Sequence, residues 1–297
     1  MKIEKNFKKK HTPNNKKVRK IKSITTYQID DSDSDSKFIS AYTEYNETGN
    51  EVLSETYYDE NELESKVERI YNSRGEIIEE ITYLDATEIG EHTFFKRNEQ
   101  NRIAEILSHY ADGSKQIKKY EYNDAENTLT ITTYDDDDAI EEREFFRFDS
   151  DRNILEHSTF DENLKLKERQ ENSYDENSKL LRRKEYDAKN KFTVERVLVY
   201  NEFEKIEKQI SLNKNNKPIG SILFNYDDKG RLIEQRIANS HVIRFAYTDE
   251  PRTEKEEHFD ANGILTYSTT KYYDQNNLLT QANTLTGTLK YSYLFFD

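Results

Sequence analysis

Tyr226-Asp227-Asp228-Lys229-Gly230-Arg231-Leu232-Ile233 decides the fold. An aromatic is followed by Asp, by residues of turn chemistry, and by an aliphatic six positions on. The same unit reads Tyr71-Asn72-Ser73-Arg74-Gly75-Glu76-Ile77 and Tyr174-Asp175-Glu176-Asn177-Ser178-Lys179-Leu180. Its starts can be followed at Tyr45, Tyr58, Tyr71, Tyr83, Phe95, Tyr110, Tyr122, Tyr134, Phe148, Phe160, Tyr174, Tyr186 and Tyr200, then at Tyr226, Tyr247, Phe259 and Tyr273. The steps are mostly 12 to 14 residues. That is too short for a helix pair, which needs roughly 33 residues, and suits one strand plus one turn.

Asp and Asn hydrogen-bond the backbone ahead of them, and Gly or Asn tolerates positive φ, so each Asp/Asn-x-x-Gly/Asn stretch is a hairpin turn. Five of the eight glycines, Gly49, Gly75, Gly113, Gly230 and Gly263, fall in these slots. They are punctuation and make no phosphate loop. Between turns the residues alternate, as in Ile77, Glu79, Ile81 and Tyr83 against Glu76, Ile78, Glu80 and Thr82, which is strand periodicity. Strands joined by such short turns are antiparallel. The expected fold is therefore all-β: a long antiparallel meander of about twenty short strands, spanning residues 23–297 after a basic arm at 1–22.

About twenty strands at ~4.8 Å would stretch roughly 100 Å if the sheet stayed open, and open twisted sheets rarely exceed about ten strands without curling. With 33% hydrophobic and 35% charged residues, the chain is too polar for a large sandwich. The expectation is a single curved or coiled sheet. The 21 Tyr and 15 Phe, placed periodically, argue against disorder. The step of 26 between Tyr200 and Tyr226 marks an irregularity, and a subdivision near 210–220 is one reading of it.

The unit resembles the YD repeat of RHS and teneurin proteins, in which aromatic-Asp-x-x-Gly-Arg-Leu runs build hairpins that coil into a β shell. The best copies are Tyr226 to Ile233 and Phe259-Asp260-Ala261-Asn262-Gly263-Ile264-Leu265. A looser likeness is to the short β-repeats of MORN-like bacterial antitoxins. Many units lack the glycine, as in Tyr186-Asp187-Ala188-Lys189-Asn190. The resemblance implies the fold, and fold does not imply function.

Residues 1–22 hold ten Lys or Arg and one acid, a formal +9, which leaves −23 on the rest of a chain whose total is −14. Like-charge blocks are often interaction tails. Lys8, Lys9, Lys10, Lys16 and Lys17 in the arm, and Asp135, Asp136, Asp137 and Asp138 in the body, are the candidate partner-binding residues. The arm reads as a solvated tail at 1–15 ahead of a first strand at 18–29, as an arm lying on the acidic sheet of its own chain or of a neighbouring subunit, or as a contact to nucleic acid or an anionic membrane. A body of −23 disfavours nucleic acid and favours a basic protein partner.

No apolar segment follows the N-terminal lysines, so no cleavable signal is visible and a cytoplasmic location is expected, with secretion by a route lacking such a signal left open. No run reaches transmembrane length, and the absence of cysteine removes disulfides and thiolate chemistry.

Asp30-Asp31-Ser32-Asp33-Ser34-Asp35-Ser36 alternates acids but puts Ser36 and Tyr42 where a calcium loop needs Gly and Glu. The six histidines show no metal-binding spacing, and no nucleophile elbow or Walker loop occurs. No catalytic, cofactor or metal residue is assigned. The expected function is a non-enzymatic protein-binding module: an immunity or antitoxin-type neutraliser of a basic toxin domain, or a scaffold subunit. The alternative is a secreted or surface protein binding carbohydrate through tyrosines.

Overall fold

The computed structural model describes residues 19–30, 33–60, 62–238 and 240–297. Its strands are β1 Ile21–Asp30, β2 Asp33–Tyr45, β3 Glu51–Tyr57, β4 Leu63–Tyr71, β5 Ile77–Tyr83, β6 Ile89–Arg97, β7 Ile103–Tyr110 and β8 Lys115–Asn123. They continue as β9 Thr128–Tyr134, β10 Ile140–Phe148, β11 Ile154–Phe160, β12 Leu166–Tyr174, β13 Leu180–Tyr186, β14 Phe192–Tyr200 and β15 Ile206–Leu212. The last are β16 Pro218–Tyr226, β17 Leu232–Ile237, β18 Val242–Asp249, β19 Arg252–Phe259, β20 Leu265–Tyr273, β21 Leu279–Thr284 and β22 Thr288–Phe295. Tyr200 and Tyr226 are separated by one ordinary extra hairpin, with Leu212 in the aromatic slot and Asn213 opening the turn.

Each strand pairs antiparallel with the next, and β22 pairs with β1 from Ile21↔Phe295 to Ile29↔Thr288. The expectation of a single curved or coiled open sheet is therefore corrected: the 22 strands close into a barrel. The local repeat is the same in an open or closed meander. Closure is driven by the unpaired N–H and C=O groups that two open edges would present, and it is permitted by the stagger of the ladders.

Following directly opposed residues once around the wall, from Thr25 through Tyr42, Glu55 and Lys66 and on to Leu289↔Gln28, returns to β1 displaced by about one residue per strand. A stagger equal to the strand number tilts the strands by about 35° and sets roughly 40 Å between opposite walls. The wall is then about 20–25 Å tall.

Among the described residues, no strand touches any strand but its two neighbours. Among those residues the only buried hydrophobic one is Ala282, and no large side chain is fully buried. The barrel they form is thus hollow, with a wall one sheet thick. Its cohesion lies in the ladders, in cross-strand side-chain pairs and in the turns.

Every regular turn uses one device. Asp or Asn after the aromatic accepts N–H bonds from two and four residues ahead, as Asp175 does from Asn177 and Lys179 at 2.9 Å. The fourth turn residue is left-handed, at Gly49, Gly75, Gly113, Gly230 and Gly263 but also at Asn101, Asp138, Arg152, Leu164 and Asn190. A one-residue register shift follows most turns, as between Ile70 and Tyr71 or Tyr272 and Tyr273, which adds twist.

Candidate functional site: the lumen wall and its two rims

The direction of the stagger, combined with the right-handed coil of L-residue strands, fixes which alternate side chains face inward. One inward row runs Phe95↔Ile106↔Lys118↔Thr133↔Glu142, and another Gln170↔Glu185↔Val194. Outward rows include Glu68↔Ile81↔His92↔His109↔Lys115 and Arg147↔Glu156↔Glu171↔Lys184↔Glu195.

The lumen wall is rich in aromatics, among them Phe95, Tyr120, Phe146, Phe224, Phe245 and Tyr291, interspersed with carboxylates such as Glu144, Glu185 and Glu256 and with cations such as Lys118, Arg196 and Lys271. Burial holds the hydroxyls of Tyr120 and Tyr291 above the usual tyrosine range. The outward face is a charge lattice. Neither face carries the apolar band, about 25 Å tall, that a transmembrane barrel presents to lipid. No helix long and apolar enough to cross a membrane occurs among the described residues.

The two ends of the barrel differ. At the rim where the turns follow even-numbered strands, here called the terminal rim because it also holds Lys20 and Phe296, the aromatic points inward. Its hydroxyl donates to the carbonyl that opens the preceding strand: Tyr71 to Glu51, Tyr122 to Ile103, Tyr174 to Ile154, Tyr200 to Leu180, Tyr226 to Ile206, Tyr247 to Leu232 and Tyr293 to Leu279, at 2.8 to 3.0 Å. The register shift puts those carbonyls out of step with the ladder, and tyrosine supplies the missing donor. Cations lie over several rings, Arg102 on Tyr122 and Arg231 on Tyr247 at 4.1 and 4.5 Å.

Neighbouring turns of this rim are also stitched together, by Arg102 and Arg152 on Asp124, Lys179 on Glu204, and Lys229 and Arg231 on Asp249.

At the other rim, the distal rim, the turns follow odd-numbered strands and the same aromatic slot points outward. Identical hairpins at opposite ends of a meander present opposite faces. The slot there holds Phe160, Leu212 and Phe259 as well as Tyr83, Tyr134 and Tyr186, and the hydroxyls of Tyr57 and Tyr186 donate to carboxylates rather than to carbonyls. Burial, then donation to Glu55 and to Glu171, pushes the Tyr57 and Tyr186 hydroxyls up to about 12.

The distal rim gathers Asp135, Asp136, Asp137 and Asp138 into one arc with Glu60, Glu62, Glu88 and Asp112. Asp135 is committed to its turn, accepting from Asp137 and Ala139, and Asp138 pairs with Lys115 at 3.3 Å. Asp136 and Asp137 are exposed. Lys8, Lys9, Lys10, Lys16 and Lys17 lie outside the described residues. Sequence reasoning did not find the rest of the arc, because its members stand about 25 residues apart and only the meander makes them neighbours.

His157 donates from Nε2 to the Glu144 carboxylate at 2.9 Å and stacks on Phe146 with ring centroids 4.2 Å apart, facing the lumen. His258 and Glu256 pair likewise at 2.6 Å. Neither pair has a third converging group, and no cluster of three or more His, Cys, Asp or Glu positioned to hold a metal occurs among the described residues. A cleft of about 900 Å³ opens at the terminal rim, lined by Tyr200, Phe203, Phe224, Tyr226, Lys205 and Glu207.

No family model matches the chain, and no curated protein matches it. The YD-repeat likeness accordingly gains no family assignment. Solved structures similar to the chain include a TcdB2-TccC3-TEV chain at 11% identity and TM-score 0.38, which covers 82% of this chain and 15% of that one. A porin-like protein from Bacteroides uniformis aligns at 11% identity and TM-score 0.35, over 92% of this chain and 98% of that one. A chain of the Photorhabdus luminescens Tc holotoxin pore aligns at 11% identity and TM-score 0.28, over 86% of this chain and 16% of that one. This chain spans under a fifth of the toxin-complex chains, and at these scores the likenesses decide neither path nor function.

Proposed function

We propose that the barrel is a non-enzymatic protein-binding module whose lumen wall receives a basic segment or small domain of a partner protein, as a neutraliser of a basic toxin domain or as a scaffold subunit. The observation that supports this reading is the unfilled, aromatic-rich lumen. Its inner face holds rings and carboxylates that no other part of the described chain covers. Rigid aromatics give large contact area at low entropic cost, and the small excess of carboxylates over cations on the inner face favours a basic occupant. Carbohydrate binding through the tyrosines is less well supported, because the hydroxyls of the terminal rim are already committed to backbone carbonyls.

The test is affinity capture from native lysate at low and moderate salt, with the full-length protein beside a variant carrying Phe146→Gln, Phe224→Gln and Phe245→Gln. One basic partner held at a fixed ratio, weakened by salt and lost with the variant, is the expected result. Equal capture by both proteins, or capture insensitive to salt, would remove the lumen reading.

A further inference from the structure

The turns of the terminal rim ask nothing particular of their third residue, which is Arg74, Gln100, Asp151, Asn177 or Lys229 in water. In the turn after β14 it is Phe203, at 71% the most exposed large apolar side chain among the described residues. A single exposed ring is ordinary on a surface. This one, however, lines the cleft of about 900 Å³ together with Tyr200, Phe224 and Tyr226. The hydroxyls of Tyr200 and Tyr226 donate to the Leu180 and Ile206 carbonyls at 2.8 Å, so these two rings are held in place before anything binds.

The same rim shows what such rings are used for. Arg102 lies over the Tyr122 ring at 4.1 Å and donates twice to Asp124, two residues after that tyrosine, at 2.8 and 3.0 Å. Arg231 lies over the Tyr247 ring at 4.5 Å and pairs with Asp249, again two residues on, at 3.1 Å. The cleft repeats the ring and the acid, as Tyr200 with Glu202 and Tyr226 with Asp228. Where the arginine would come from, the chain has Lys179 and Lys205, 5.8 and 5.3 Å from the rings. Both lysines are engaged elsewhere, Lys179 with Glu204 and Lys205 with the Gly230 carbonyl.

The charge of the cleft is correspondingly unbalanced. Glu202, Glu207 and Asp228 line it, are exposed, and make no ion pair among the described residues. The other cation in its wall, Lys229, is paired with Asp249.

We propose that this cleft is the anchor site for an arginine-bearing segment of the basic partner, with a guanidinium lying on the rings and paired to Glu202 or Asp228. The inference rests on the reading of the barrel as the receiver of a basic partner and adds the place on the wall where that partner is held. Arginine suits the cleft better than lysine, because the planar, weakly hydrated guanidinium stacks on aromatic faces and takes a carboxylate through two parallel bonds. The volume lies within the range of about 300–1,000 Å³ found for sites that enclose small ligands. It therefore admits a short segment with an apolar neighbour for Phe203.

The experiment is fluorescence anisotropy of fluorescein-labelled hexa-arginine, and of hexa-lysine with the same label and charge, titrated with the full-length protein at about 0.15 M salt. Hexa-arginine is expected to bind about fivefold or more tighter than hexa-lysine. Phe203→Ser is expected to abolish that preference, and so is Glu202→Gln with Asp228→Asn. All three positions are exposed, and urea unfolding is expected to show wild-type stability for both variants. Tyr58→Ser, which removes a 63% exposed ring from a distal turn, is expected to change nothing.

Equal binding of the two peptides would overturn the proposal, as would an arginine preference that survives Phe203→Ser or is lost with Tyr58→Ser. No arginine preference, beside salt-sensitive capture of a basic partner, would remove this anchor and leave the lumen reading in place. A preference lost with Phe203→Ser, beside a capture that yields no partner, would support the cleft and remove the lumen reading.

Discussion

Closure of the barrel predicts that two residues 267 positions apart in sequence can be covalently joined. Thr25 on β1 and Ser292 on β22 are directly opposed in the closing ladder. Opposed residues in an antiparallel pair have Cα atoms about 4.5–5.5 Å apart, inside the 4.4–6.8 Å window of a disulfide. The chain contains no cysteine, so Thr25→Cys with Ser292→Cys introduces a single possible bridge.

The loop it closes is about 270 residues long, for which the chain-entropy relation gives about 5–6 kcal/mol of stabilisation at 25 °C. Engineered bridges fall short of that bound, and a gain of at least about 2 kcal/mol is expected. The assay is a non-reducing gel for an intramolecular bridge, followed by urea unfolding of the oxidised and reduced forms. Thr25→Cys with Ser173→Cys is the control, because Ser173 on β12 faces outward across a barrel roughly 40 Å wide. If the Thr25/Ser292 pair stays unlinked, links only between molecules, or shifts no midpoint, the ends of the meander are apart and the closed barrel is refuted.

Removing one terminal-rim hydroxyl with Tyr226→Phe is expected to cost about 0.5–1.5 kcal/mol by urea unfolding, while Phe160→Tyr at the distal rim is expected to be neutral within about 0.5 kcal/mol. Leu164→Gly, which relieves a left-handed leucine that is 47% exposed, is expected to stabilise by up to about 1 kcal/mol, measured at high salt.

Backbone N–H bonds to Asp187, Asp227, Asp260 and Asp274 hold these carboxyls below the usual aspartate range. The unfolded chain therefore binds protons first, so the stability they contribute is present above about pH 4 and is lost as pH falls through their depressed values. A melting series into acid checks it. The hydroxyls of Tyr57, Tyr186 and Tyr273, raised to about 12 by burial and by donation to a carboxylate, contribute stability that is full below about pH 10 and lost as pH rises toward 12. Phenolate absorbance rising together with unfolding in that window is the expected outcome.

How much was legible in the sequence follows from the range of each interaction. Asp175, Asn177 and Lys179 form a turn among themselves, and Ile77 to Tyr83 alternate because a pleated strand has a period of two. Contacts within a dozen residues are written in the order of the chain, and from them the sequence by itself determined the antiparallel meander, its turns and the near number of its strands. The pairing of Thr25 with Ser292 has no local trace, since the same repeat serves a sheet with free edges. Closure depended on a stagger of about one residue per strand accumulating over 22 strands until β22 met β1.

The faces were undetermined for the same reason. The aromatic slot looks alike at Tyr174 and at Phe160, yet handedness turns one into the lumen, where its hydroxyl reaches the Ile154 carbonyl, and the other outward. Asp135 to Asp138 could be read as an acidic run, but their company of Glu60, Glu88 and Asp112 comes from turns about 25 residues apart. Those residues become a surface only when the ladders bring every second turn to one rim.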